Sequence, residues 1–162
     1  MASGKRLRLY ADTSVFGGVF DPEFAVPSRA FFQQVRQSEF TLVVSDVVRR
    51  ELAPAPEPIR ALLDAHLADA EVVPVTASAL ALRQAYIDAR ILTPNWLDDA
   101  LHVALATVAG CDAIISWNFK HIVHFQKIPL YNAVNTLHGH SHLFICSPQE
   151  IISYADEDTA ED

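Results

Sequence analysis

Leu7-Arg8-Leu9-Tyr10-Ala11-Asp12-Thr13-Ser14 is the stretch that decides the fold. An apolar-rich run of strand type ends on a carboxylate followed by two small hydroxyl residues, the pattern of a strand giving way to a loop. Phe40 to Val44 and Glu71 to Val75 repeat the β-rich character, as do the shorter runs Asp112 to Ser116 and Leu143 to Ser147. Between these runs the apolar residues recur at helical spacing. Helices are expected over 28–38 with Ser28 as N-cap, over 46–53 behind Ser45, over 59–68, over 77–90 and over 96–109, with a short one from Phe119 to Phe125. Pro54, Pro56 and Pro58 force the break between the second and third of these. Strands alternating with helices in this way imply an α/β chain whose mostly parallel sheet is covered on both faces.

Composition limits what such a chain can be. With 162 residues, 51% of them hydrophobic, one well-buried domain over 1–154 is expected, followed by an acidic disordered tail over 155–162. No apolar stretch approaches the roughly 20 residues of a membrane span, so the chain reads as cytosolic, with no membrane partner. Cys111 and Cys146 lack the count and pattern of a disulfide framework or zinc site and read as buried free thiols. The net charge of −8 argues against gripping nucleic acid through a general basic field, although the five carboxylates of the tail account for all but three of those charges.

The helix at 96–109 is the most regular element. Asn95 stands in front as N-cap and Gly110 behind as the stop. At about 100° per residue, Leu97, Ala100, Leu101, Ala104, Leu105 and Val108 form one broad apolar face, and Asp98, Asp99, His102 and Ala106 share the remaining sector. Asp98 occupies the reciprocal position of a capping box and favours the helix dipole. Asp99 is not needed for capping, which makes it the better ligand candidate.

Three further residues join it. Glu51 lies in the last turn of its short helix, where the dipole disfavours a carboxylate by about 0.3–1 kcal/mol and where Arg49 and Arg50 are better placed. Asp12 ends the first strand, either as a turn cap or as a metal ligand. Asn118 follows the strand at 112–116 through Ser116-Trp117-Asn118; its carbonyl can coordinate a hard cation, and its plainer role is that of a turn residue. In an open α/β sheet these positions converge at the carboxyl ends of the strands. Clustered carboxylates repel one another unless a divalent ion such as Mg²⁺ or Mn²⁺ holds them, which points to a metal-dependent phosphodiesterase.

On these positions the sequence resembles the PIN-domain family, which includes the VapC-type toxins of bacterial toxin–antitoxin pairs. The likeness covers residues 7–152 and rests on Leu9-Tyr10-Ala11-Asp12-Thr13-Ser14-Val15, Glu51-Leu52, Asp99-Ala100-Leu101-His102-Val103-Ala104 and Ser116-Trp117-Asn118-Phe119. It implies a three-layer α/β/α fold around a mostly parallel sheet of about five strands, and an acidic pocket for Mg²⁺ or Mn²⁺ that cleaves single-stranded RNA. The acids of the family pattern fall at Asp12, Glu51 and Asp99. Asn118 stands where the family often has Asp, which bears on whether two metals bind. Ser14 and Ser116 match positions that support the acids by hydrogen bonds. Thr13, Asp98 and His102 are read as further supporting residues. The resemblance also implies a small antitoxin as inhibitor and a homodimer.

Other signals are weaker. Trp117 could offer a stacking face to an unpaired base, and Arg49, Arg50 and Lys120 flank the expected site as phosphate contacts. His121 and His124, one turn apart, read as the surface of a short helix. His138-Gly139-His140-Ser141-His142 reads as a polar loop with adventitious affinity for Ni²⁺ or Zn²⁺. Three competing functions are to be weighed. A PIN-like module that binds RNA or protein without cutting, or an RNA-processing nuclease without an antitoxin, would keep the same acids. A phosphatase of the aspartyl-phosphate type would need a second Asp where this chain has Ser14.

Overall fold

Leu9, Tyr10 and Ala11 are completely buried, so strand β1 (Leu7–Ala11) lies in the middle of a sheet covered on both faces. The computed structural model describes residues 6–161, with side chains as far as Tyr154. In chain order β1 is followed by helices α1 (Thr13–Gly18) and α2 (Ala25–Arg36), strand β2 (Phe40–Ser45), helices α3 (Asp46–Leu52) and α4 (Glu57–Leu67), and strand β3 (Glu71–Val73). Helix α5 (Ala77–Asp88), a 3₁₀ turn at Pro94–Trp96, helix α6 (Leu97–Val108), strand β4 (Ala113–Ile115), helix α7 (Ile128–Leu137), strand β5 (Phe144–Cys146) and helix α8 (Pro148–Glu161) complete it.

The five strands are all parallel, in the order β3-β2-β1-β4-β5. Leu9 pairs with Leu42 on one side and Ala113 on the other. The chain therefore works outward from β1 in one direction and then crosses to build in the other, which makes the carboxyl ends of β1 and β4 a topological switch point. The helices pack in two groups, α1 to α4 with α8 and α5 to α7, giving the α/β/α layering. This is the expected architecture. Among the described residues no helix is long and apolar enough to cross a membrane.

Several elements differ from the sequence reading for identifiable reasons. The stretch 119–127 is a succession of turns rather than a helix, because Asn118 uses its backbone carbonyl to accept from both Ile122 and Val123 while its side chain accepts from the His121 amide. Helix α7 escapes the apolar pattern because two of its inward positions are asparagines. Asn132 pairs both side-chain atoms with the backbone of Leu143, and Asn135 bonds Tyr86 and Thr107. Helix α2 begins at Ala25, so Ser28 is not its cap but a buried acceptor for the Trp117 indole at 2.8 Å. Asn95 sits in the 3₁₀ turn, and α6 has no side-chain cap. Helix α8 packs on α2 and continues through Glu161, across most of the acidic stretch read as a disordered tail. Extending a helix that is already nucleated costs little. Asp162 lies outside the described residues. Ser45, by contrast, caps α3 as expected, and Gly110 at φ 70° stops α6. Both cysteines are free thiols, Cys111 buried and Cys146 partly so.

Gly18 fixes the packing of α1 beneath the site. A Cβ there would stand 2.6 Å from Ser28 Oγ and 2.7 Å from Trp117 Nε1, closer than real side chains approach. Gly18→Ala is expected to destabilise the protein by about 1–3 kcal/mol through overpacking and disturbance of the Trp117–Ser28 bond, measured by chemical denaturation.

Candidate active site

Asp12 caps α1 and lies buried at the carboxyl edge of the sheet. Its Oδ1 accepts from the Ser14 amide at 3.1 Å and the Ser14 hydroxyl at 2.6 Å, and its Oδ2 accepts from Ser116 Oγ at 2.6 Å. The first of these caps α1. The last ties the end of β1 to the end of β4, beside the backbone bond from Asp12 N–H to Ile115 O. Ser14 and Ser116 thus hold the acid, as the sequence reading anticipates. Burial pushes the Asp12 carboxyl up, and the nearby Asp99 adds to this, against His102 and the two serine hydroxyls that pull it down.

Glu51 reaches the site from the end of α3. Thr13 Oγ1 donates to its Oε1 at 2.7 Å, and His102 Nε2–H donates to the same oxygen at 2.6 Å. The other His102 nitrogen lies 2.8 Å from Tyr10 Oη, which also bonds Ser45 Oγ at 2.7 Å. A chain of polar groups from α3 through α6 to β1 and β2 therefore runs beneath the acids. Burial would lower His102, but the bond to Glu51 and the fields of Asp12, Glu51 and Asp99 outweigh it and hold the imidazole up. Burial would raise Glu51, and His102, Thr13 and Arg50 together hold it down.

Asp99 projects from the first turn of α6, and His121 Nδ1–H donates to its Oδ2 at 2.7 Å. His121 is buried, with its carbonyl accepting from Tyr131 Oη at 2.7 Å. It is no surface residue, contrary to the sequence reading. The signal that could have found it is its place three residues after Asn118, where an Asx-type turn folds it back toward the sheet. Asn118 itself uses its side-chain oxygen on the His121 amide at 2.9 Å, which is the turn role.

The remaining predicted residues divide. Asp98 does not cap its helix but pairs with Arg50 at 3.0 Å, and Arg49 lies 3.5 Å from Asp46; both pairs are exposed. Trp117 is closed off as a stacking face, since its ring stacks on Phe24 with centroids 4.3 Å apart and its Nε1 is taken by Ser28. Lys120 lies over the ring of Trp96 instead.

The donor set suits a hard divalent ion in chemistry: carboxylate oxygens, those of Asp12 buried and lying in the field of Asp99. Among the described residues, however, no group of three or more His, Cys, Asp or Glu side chains is gathered to hold a metal. The fit is to an ion bound through one or two carboxylates that keeps several waters, the usual habit of Mg²⁺. Glu51 Oε2 and Asp99 Oδ1 accept no protein hydrogen bond among the described residues, so each has an oxygen available.

A parallel sheet of this order, with acids at the switch point, is a PIN-like fold. The structure of VapBC2 from Rickettsia felis, bound to a DNA fragment from their promoter, matches 87% of this chain and 98% of its own, with a TM-score of 0.57 at 14% identity. FitAcB from Neisseria gonorrhoeae matches over the same shares with a TM-score of 0.55 at 12% identity. No family model matches the sequence, and no curated protein matches it.

Two stability measurements follow from the charges. Because Asp12 is raised on folding, its ionisation costs stability as pH rises above the ordinary aspartate value; Asp12→Asn is expected to be more stable than the wild type at pH 7 in EDTA, by thermal melting. The raised His102 contributes stability that is full below its ordinary 6.5 and is lost as pH rises through its folded value. The lowered Glu51 contributes stability present above its ordinary 4.5 and lost as pH falls through its folded value. The stability gap between wild type and His102→Asn should therefore be widest between 4.5 and 6.5 and narrow on either side, measured by urea denaturation across pH.

Proposed function

We propose that the protein is a Mg²⁺- or Mn²⁺-dependent endoribonuclease that hydrolyses phosphodiester bonds of single-stranded RNA, acting as the toxin of a toxin–antitoxin pair. The observation that carries this reading is the carboxylate of Asp12, buried at the carboxyl edge of the sheet, held through both oxygens by Ser14 and Ser116 and lying in the field of Asp99. The sequence likeness to VapC-type toxins and the fold shared with VapBC2 support it.

Asp12 and Asp99 would hold the ion, with Glu51 contributing directly or through water. When bound, such an ion supplies charge neutralisation at the phosphate and activation of water. The chain supplies the positioning. Ser14 and Ser116 fix both oxygens of Asp12, Thr13 and His102 fix one oxygen of Glu51, and His121 fixes one oxygen of Asp99. No side-chain nucleophile is needed. A small antitoxin that covers the acidic edge and a homodimeric assembly belong to the same proposal, and a neighbouring gene for a small protein that blocks cutting would support the first.

A second reading, a PIN-like module that binds without cutting, is favoured by the engagement of Asn118 in its turn, which leaves the site without a fourth donor. Cleavage of a panel of labelled single-stranded RNAs with Mg²⁺ or Mn²⁺, beside an EDTA control, separates the two. The nuclease reading expects cutting that EDTA abolishes and that Asp99→Asn reduces by more than about 100-fold, beyond the usual effect of losing a residue that only supports a ligand. Mn²⁺ binding with no cutting of any RNA would favour the binding module.

A further inference from the structure

Trp96 is a large aromatic with no structural task that accounts for its position. It closes the 3₁₀ turn before α6, is 42% exposed, and its indole N–H donates to no protein atom among the described residues. Its ring lies against His121, centroids 4.3 Å apart at 40°, and His121 is the residue that donates to Asp99. Lys120 Nζ stands 5.4 Å from the centre of the same ring. A part-exposed indole and an ammonium beside it are thus held one side chain away from a candidate catalytic carboxylate.

We propose that Trp96 is the platform on which an unpaired RNA base stacks beside the phosphate to be cut, with Lys120 moving from the ring to a neighbouring phosphate. This rests on the nuclease reading above and adds to it a means of choosing single strands. A base inside a duplex has both faces covered by its neighbours, whereas an unpaired base can present one to an indole. Stacking of this kind changes affinity by roughly 5- to 100-fold per base with little regard to sequence. The ammonium fits the role because a lysine stem is flexible and its charge is a point donor to phosphate. The protein's net charge of −8 adds weight, since no general basic field is available to hold the RNA and local contacts must do so. Trp117 is the less exposed of the two, and its indole N–H is already given to Ser28.

The chain has two tryptophans, so intrinsic fluorescence reports the contact. Titrating the protein with a decauridylate single strand in EDTA, where no cutting occurs, is expected to quench the wild type; Trp96→Phe should lose most of that quenching, and Trp96→Ala should bind at least about 5-fold more weakly. Phe144→Ala, at the amino end of β5 and so at the opposite edge of the sheet, should bind as the wild type does. Equal affinity and equal quenching in the Trp96 variants would overturn the inference while leaving the nuclease reading intact. Duplex RNA that quenches as well as the single strand would overturn it too, as would a wild type that binds no RNA. Trp96-dependent binding with no hydrolysis in Mg²⁺ or Mn²⁺ would support the platform and sink the nuclease reading instead.

Discussion

The carboxylate of Asp12 is the constraint around which the rest of the molecule is arranged. It ends the central strand, caps the first helix and takes the Ser116 hydroxyl from the end of β4, all while 4% exposed. A buried charge without sufficient partners costs several kcal/mol. Three hydrogen bonds meet part of that cost, and the field of His102 meets more. What remains uncompensated is the burial that still holds the Asp12 carboxyl up.

Around Asp12 each of the other acids has its own orienting histidine. Glu51 is held by His102 and Asp99 by His121, and both histidines are themselves fixed, one by Tyr10 and the other through its backbone by Tyr131. The tyrosines come from the core, where burial pushes both phenols up and keeps them neutral donors. Side-chain positions at the rim are thereby set by groups packed at close to crystal density beneath it. One oxygen of Glu51 and one of Asp99 accept no protein hydrogen bond among the described residues, so the orientation leaves both exposed to whatever the site takes.

Much of this was legible in the sequence because it rests on local pattern. β1 through Ser14, the caps at Ser45 and Gly110, and the apolar face of α6 could all be read from spacing, and the parallel sheet followed from their alternation. Asp12, Glu51 and Asp99 could be named because each lies at an element boundary, after β1, in the last turn of α3 and in the first turn of α6. What could not be read were contacts between residues distant in the chain. Nothing local marks His121 as the partner of Asp99, 22 residues away, or Arg50 as the partner of Asp98, 48 residues away. The sequence names Trp117 as a stacking face, and nothing local marks its partners Phe24 and Ser28, 93 and 89 residues away. Helix α7 was hidden for a related reason, since the buried polar partners of Asn132 and Asn135 lie outside the helix.

The bond from Ser116 to Asp12 spans 104 residues, and β4 is the neighbour that completes the central strand. Pairings this distant in sequence must wait for loop closure and make folding slow relative to helical chains. During synthesis the first strand, the first helix and Glu51 leave the ribosome well before β4 exists to pin Asp12 in place. The acidic edge consequently cannot close until β4 has been made, so a half-made chain carries Asp12 and Glu51 without their final geometry.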